Sequence, residues 1–127
     1  MIRLYHYSNK DFKGYIDPTF FGANSYTSLS KRISEVKRVY FYTSLNYRER
    51  FFRGAKFCYI VEVDNNKIYD NDIDLLNYSG RAIDFSSYAR GLIKRGYIGF
   101  TSNEFDYRVI CLFKAIKIKG RKTLTMV

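Results

Sequence analysis

The chain has 127 residues and a formal net charge of +10, from 22 Lys and Arg against 12 Asp and Glu. Hydrophobic residues make up 46% and aromatic residues 19%, all of them Tyr or Phe, which excludes an intrinsically disordered chain and suffices for the core of one domain. The positive charge favours a polyanionic partner such as nucleic acid, a nucleotide or an acidic protein surface, although it also serves solubility.

Charge is unevenly distributed along the sequence. Residues 64–74 are acidic, whereas residues 31–56 and 114–122 are basic.

Cys58 and Cys111 lie in apolar runs outside any CxxC pattern, which predicts buried thiols, a reducing compartment and no metal. No apolar run approaches the ~18 residues of a membrane span, and the N-terminus lacks a signal-peptide layout. The sequence therefore predicts a cytoplasmic protein without a membrane partner.

The first predicted element is a strand over residues 3–8, which holds the only histidine, His6. Alternation places His6 on one face of this strand together with Leu4 and Ser8, and the flanking tyrosines on the other face. A histidine here has two interpretations. It is either a core residue hydrogen-bonded to backbone or a polar donor in a cleft that orients a substrate hydroxyl.

Runs of β-branched and aromatic residues predict further strands, over residues 39–44, 55–63, 67–70, 97–101 and 107–119. Capping and stop signals predict short helices over residues 28–36, 47–52 and 84–95, and a short helix or turn over 72–78. Glu104 and Asp106 are expected in the loop before the last strand, and residues 120–127 as a loosely held basic tail. The chain is thus predicted to be one α+β domain, residues 1–127, with more strand than helix.

Several common chemistries have no motif in this chain. It contains neither GxGxxG nor a P-loop, so no Rossmann or Walker-type phosphate site is indicated. One histidine and two cysteines of buried type do not make an ordinary zinc site. The absence of GxSxG argues against an α/β-hydrolase nucleophile.

What the chain does hold is an ordered series of short motifs: Leu4-Tyr5-His6, then Tyr40-Phe41-Tyr42-Thr43 leading into a short helix, then Gly96-Tyr97-Ile98-Gly99, then an acid before an apolar strand. In this order the sequence resembles the ADP-ribosyltransferase superfamily, specifically the His-Tyr-acid branch shared by diphtheria-toxin-like and poly-ADP-ribose-polymerase-like enzymes. The resemblance implies mainly antiparallel strands in a split sheet with a few short helices, and it implies NAD as co-substrate without a metal.

The resemblance also implies roles for individual residues. His6 would donate to a ribose hydroxyl, Tyr40 would stack on nicotinamide, and either Glu104 or Asp106 would stabilise the positive charge that develops on the sugar as its bond to nicotinamide breaks. Tyr42 is expected on the sheet face opposite Tyr40. Further contacts with NAD, including one from Arg3 to the pyrophosphate, are expected from Arg3, Tyr5, Asn24, Tyr26, Tyr42, Thr43 and Phe51.

The sequence therefore leads to an NAD-dependent mono-ADP-ribosyltransferase that acts on a protein or nucleic-acid acceptor, itself acidic or associated with nucleic acid. By size and composition it resembles small effectors of phages or mobile elements, which would act in the host cytoplasm. The alternative is a non-catalytic basic protein that binds nucleic acid through lysines and stacked tyrosines, or that inhibits a partner by occluding it. The enzyme requires His6, Tyr40 and one acid to converge around a cleft, whereas nucleic-acid binding requires a contiguous basic face.

Overall fold

Strand β1 (Ile2–Ser8) lies inside a seven-stranded sheet in the computed structural model, which describes residues 1–18, 38–45, 54–78, 85–104 and 107–124. It pairs antiparallel along its whole length with β4 (Phe57–Val63), from Ile2 opposite Val63 to Ser8 opposite Phe57. On its other side it pairs antiparallel with β3 (Val39–Tyr42). These three strands are rich in Val, Ile, Tyr and Phe, the residues that best fit a pleated surface buried on at least one side.

The remaining strands extend this sheet in both directions, in the order β5-β6-β7-β3-β1-β4-β9. They are β5 (Ile68–Tyr69), β6 (Gly99–Glu104), β7 (Tyr107–Leu112) and β9 (Gly120–Thr123). The β5–β6 pair is parallel, and the other pairs among the described residues are antiparallel. A separate two-stranded sheet joins β2 (Tyr15–Ile16) to β8 (Ile116–Lys117).

One α-helix, α1 (Phe85–Lys94), is present among the described residues. Its buried residues Ala89 and Leu92 face the sheet, as the helical spacing predicts. Gly96 ends the helix with φ +90°, donating to Ile93 O at 3.0 Å, and the next amide donates to Leu92 O at 3.0 Å. These paired bonds form the Schellman motif, which needs a residue that tolerates positive φ.

The core lies on both faces of the large sheet. The face that carries His6, called the His6 face below, is buried beneath the connection that follows β1. Tyr59 fastens that connection, because its hydroxyl donates to Lys10 O at 2.5 Å and accepts from Phe12 N at 2.8 Å. The opposite face buries aromatic residues and both cysteines, Cys58 and Cys111, each at 0% exposure. The predictions of an α+β domain with mostly antiparallel strands and of buried cysteines are confirmed.

The C-terminal part of the chain differs from its prediction. The prediction of a single strand over residues 107–119 is wrong, because β7 ends at Leu112. Leu112 pairs with Val39, the first residue of β3, and with Gly99, the first residue of β6. Among the described residues neither β3 nor β6 extends beyond that point, and the chain next pairs with β2 as β8. It then returns as β9 beside β4, in the segment that was expected to be loosely held.

The structure also differs from the prediction at Glu104. Glu104 was expected in a loop but ends β6 opposite Tyr107. Between β4 and β5 the chain forms a 3-10 helix, Asn65–Lys67, whose cap Asp64 accepts a hydrogen bond from Asn66 N at 2.9 Å. Residues 71–76 form turns. The helices predicted over 28–36 and 47–52, and the cap Asp84, lie outside the described residues.

Candidate functional site

His6 occupies the interior of the His6 face. Its ring lies between the rings of Phe12 and Phe41, with centroid distances of 6.3 and 5.4 Å. Nδ1–H donates to the backbone carbonyl of Tyr40 at 2.9 Å. Burial lowers the pKa of His6 from its usual 6.5 to about 4, although the hydrogen bond to Tyr40 opposes the shift. The imidazole is therefore neutral at pH 7, with its proton on Nδ1.

Tyr40 and Tyr42 lie on the face opposite His6. In the β3–β7 pair Tyr40 is opposite Cys111 and Tyr42 is opposite Val109, and both rings pack in the cluster that buries Tyr7. The expectation that Tyr42 faces away from Tyr40 is wrong, since residues two apart on a strand share a face. His6 therefore meets the backbone of Tyr40, while the two side chains point to opposite sides of the sheet.

The other residues assigned to NAD are dispersed. Arg3 is exposed and pairs with Glu62 on β4 at 3.5 Å, and Tyr5 packs against the Tyr7 cluster. Thr43 lines the cavity described next. The remaining assigned positions fall where the structure gives no side-chain description: Asn24, Tyr26, Phe51 and Asp106 lie outside the described residues, and Glu104 is described by its backbone alone.

An open cavity of about 370 Å³ lies on the His6 face beside β5, β6 and β7. Ligand pockets have volumes of about 300–1,000 Å³, so this cavity suits a small molecule or part of a larger one. Neither His6 nor Tyr40 is among its lining residues. The walls combine aromatic rings, hydroxyls and charges with aliphatic side chains, and the residues that bear on its chemistry are Thr43, Tyr69, Asp70, Tyr97, Thr101 and Arg108.

An ion-pair network forms the charged wall of this cavity. Arg108, near the start of β7, donates from Nη2 to Asp70 Oδ1 at 3.1 Å and to Asp72 Oδ2 at 2.7 Å. Asp70 is held in turn, because its Oδ1 accepts from the backbone N–H of Asp72 at 2.9 Å. The group carries one positive and two negative charges, which leaves a net charge of −1. The buried Nε of Arg108 has no hydrogen-bond acceptor among the described residues.

Hydrogen bonds fix the turn after β5 against β6. Asn71 N donates to the Thr101 hydroxyl at 3.0 Å, and the Asn71 side-chain amide donates to Thr101 O. Tyr88 of α1 donates to Asn71 Oδ1 at 2.5 Å. Tyr69 donates to Asp74 Oδ1, and burial with that carboxylate beside it raises the pKa of Tyr69 to about 12. These bonds hold the cavity wall in one position, and Tyr69 stays protonated at pH 7.

Four residues of this region were not among those predicted for a site: Asp70, Asp72, Thr101 and Arg108. The acidic character of residues 64–74 was the available signal, but it does not identify the basic partner. Arg108 is 38 residues away from Asp70 along the chain, and only the pairing of β5 with β6 and of β6 with β7 brings the two together.

Comparison with protein-family models, with curated proteins and with solved structures found no match. None of the helices in the described ranges has the length and apolar character required to cross a membrane. Across those same ranges, no three His, Cys, Asp or Glu side chains are grouped so that they could hold a metal ion.

Proposed function

We propose that this protein is an NAD-dependent mono-ADP-ribosyltransferase whose cavity on the His6 face receives the nicotinamide–ribose half of NAD. The observation that supports this proposal is the position of the β6–β7 hairpin. Thr101 and Arg108, from its two strands, both line the cavity, and Glu104 pairs with Tyr107 at the end of the hairpin. Along the chain, Glu104 follows Thr101 by three residues and Asp106 precedes Arg108 by two, so both acids singled out by the resemblance are close in sequence to residues that line the cavity.

The charge of the cavity suits this half of the substrate. The nicotinamide ring of NAD is cationic, and the ribose becomes positively charged as the bond from C1′ to the ring nitrogen breaks. The net negative charge of the Asp70, Asp72 and Arg108 group favours both cations. The bonding electrons leave with nicotinamide, whose ring becomes neutral. The acceptor nucleophile then forms its bond to C1′ and loses its proton, and Glu104 or Asp106 stabilises the sugar in between.

The proposal changes two of the roles that the resemblance implied and keeps that of Thr43. Tyr69 and Tyr97 line the cavity and take the place of Tyr40 as candidates for contact with the nicotinamide ring. Thr43 offers a hydroxyl on the same wall. His6 becomes a positioning residue, because its ring packs against Phe41 of β3, two residues before Thr43.

The test is release of nicotinamide from NAD, followed by chromatography with and without cell lysate as a source of acceptors. The wild-type protein is expected to release nicotinamide, and either Glu104→Gln or Asp106→Asn is expected to reduce the rate about 100-fold, the usual effect of removing one charge-stabilising group. Glu62→Gln is the matched control, because Glu62 pairs with Arg3 and does not line the cavity.

Asp70→Asn gives an independent readout of the cavity. It is expected to weaken NAD binding measured by ligand-observed NMR, since it removes one of the negative charges that favour the cationic ring. The proposal is wrong if the wild-type protein neither binds millimolar NAD nor releases nicotinamide in the presence of lysate. It is equally wrong if release is unchanged in all the cavity variants.

A further inference from the structure

The last part of the chain carries a concentration of positive charge. Residues 114–122 contain no acid, and their basic side chains are all exposed. They are Lys114, Lys117, Lys119, Arg121 and Lys122. This segment includes β8 and β9, which the fold holds in place by strand pairing, so the backbone positions that carry these charges are fixed.

Strand pairing adds lysines from distant parts of the sequence. Tyr15 of β2 is directly opposite Lys117, and Ile118 N donates to Gly14 O at 2.9 Å, which places Lys13 beside β8. At the other end, Leu124 N donates to Lys56 O at 2.7 Å. We call the exposed lysines 13, 56, 117, 119 and 122 the basic strip.

Little of this charge is neutralised within the protein. Asp11 is engaged by Lys13 at 3.0 Å and by Arg121 at 2.5 Å. Among the described residues, no carboxylate forms an ion pair with Lys56, Lys117, Lys119 or Lys122. These lysines are therefore available to an anionic partner, and a polyanion gains from contacts with several of them because it releases bound counterions.

An aromatic side chain stands within the basic strip. Tyr15 is 55% exposed although it belongs to a strand, and it lies two residues from Lys13 and directly across from Lys117. Its neighbour Ile16 is fully buried and fixes β2 against the core. An exposed ring on a paired strand, with Lys117 on the strand opposite, suits stacking of an unpaired base while a neighbouring phosphate meets the lysine.

We propose that the basic strip and Tyr15 form a binding surface for single-stranded nucleic acid, with the base stacked on Tyr15 and the phosphates on the lysines. This inference stands independently of the transferase proposal, because no residue of the strip lines the cavity. Lysines on an edge strand such as β9 also discourage edge-to-edge aggregation. That role alone predicts no binding of nucleic acid and no effect of Tyr15.

The test is fluorescence anisotropy of a labelled 12-nucleotide single strand, as DNA and as RNA, beside the matching duplex, at 50 to 300 mM salt. We expect the single strands to bind with a steep salt dependence. Lys117→Gln with Lys119→Gln is expected to lower the slope of log K against log salt by about 1.4, since each phosphate contact on a single strand contributes about 0.7. Tyr15→Ala is expected to weaken binding about tenfold or more without changing that slope.

Two further variants make the test specific. Lys67→Gln with Lys94→Gln removes the same charge from exposed positions outside the strip and is expected to have a much smaller effect. Tyr15→Phe keeps the ring and is expected to bind almost as the wild type does. Absence of binding at 50 mM salt, equal weakening by the two lysine pairs, or an affinity unaffected by Tyr15→Ala would each overturn the proposal. Stronger binding of the duplex than of the single strands would overturn it as well.

Discussion

The tautomer and the protonation state of His6 are set by the groups that surround its ring. The strand places it on the buried face, Phe12 and Phe41 enclose its ring, and the Tyr40 carbonyl selects the tautomer with the proton on Nδ1. Such a residue resists protonation, because a charged imidazolium in this apolar surrounding would lose its hydration.

Stability is therefore expected to depend on pH through His6. Its pKa is lower in the folded protein, about 4, than the 6.5 of the unfolded chain. The unfolded chain thus binds more protons between these values, and folding is progressively disfavoured as the pH falls from about 6.5 towards 4. Between pH 7 and 4.5 we expect a loss of roughly 2 kcal/mol from this residue.

Urea unfolding at pH 7 and 4.5 of the wild type and of His6→Phe measures this loss. The phenylalanine ring does not titrate, so the variant is expected to lose roughly 2 kcal/mol less than the wild type over the same pH range. Carboxylates titrate in both proteins and cancel in the difference. Equal losses would show that the histidine is already protonated, or equally accessible to protons, in the folded state.

Gly99 and Gly120 offer a comparison of two strand glycines. A Cβ at Gly99 would stand 2.0 Å from Cys111 O, a backbone atom of the neighbouring strand, whereas one at Gly120 would meet Ile60 Cδ1 at an ordinary 3.6 Å. We expect Gly99→Ala to destabilise the protein by about 3 kcal/mol and Gly120→Ala to change its stability by less than ~0.5 kcal/mol. The measurement is urea unfolding. Similar values for the two variants would mean that β6 and β7 separate easily at Gly99.

At the scale of elements, β9 is the strand that most changes the picture obtained from sequence. It completes one edge of the sheet and covers β4. Leu124 N donates to Lys56 O at 2.7 Å, and the alternation of antiparallel ladders then gives Lys122 an amide directed at β4 and Thr123 an amide directed away from it.

Proline substitutions distinguish these two amides. Lys122→Pro removes an inward hydrogen bond of the ladder and is expected to lower the free energy of unfolding by about 1–3 kcal/mol. Thr123→Pro removes an outward amide at a sheet edge, where proline is tolerated, and is expected to have a much smaller effect. Thermal unfolding of both variants checks this difference. If neither variant differed from the wild type, β9 would contribute nothing to the fold.

Strands with strong local signals were predictable from sequence, and their ends were not. β1, β3 and β4 follow from alternating or continuous runs of apolar residues, which local chemistry dictates. The end of β7 does not follow from its own residues, since apolar positions continue through Phe113 and Ile116. It depends on where β3 and β6 begin, which is a property of the assembled sheet.

The same limit applies to the candidate site. A sequence motif gives the order of residues but not the sheet face on which each one lies. Tyr40 was assigned next to His6, and the structure places the two rings on opposite faces. The ion-pair network beside the cavity joins Arg108 to Asp70 and Asp72 across 36 to 38 residues, and no local pattern marks such a pairing.

At the scale of the whole molecule, the two proposed sites lie towards opposite edges of the large sheet. The cavity is beside β5, β6 and β7, and the basic strip is at β9 with the small β2–β8 sheet. From β7, which carries Arg108 of the charged wall, to β9 there are four strand spacings of about 4.8 Å, or roughly 19 Å. That exceeds the Debye length of about 8 Å at physiological ionic strength, so the charges of one site are screened from the other.

The two sites are therefore expected to act independently. Saturating NAD should change the affinity for a labelled single strand by less than about twofold, and Tyr15→Ala should leave nicotinamide release without an added acceptor unchanged. Conversely, Asp70→Asn should weaken NAD binding and leave the oligonucleotide affinity as in the wild type. Measuring both activities on both variants gives the comparison. A reciprocal effect of fivefold or more would contradict independence, and it would mean that one extended ligand, or one shared conformational change, connects the cavity to the basic strip.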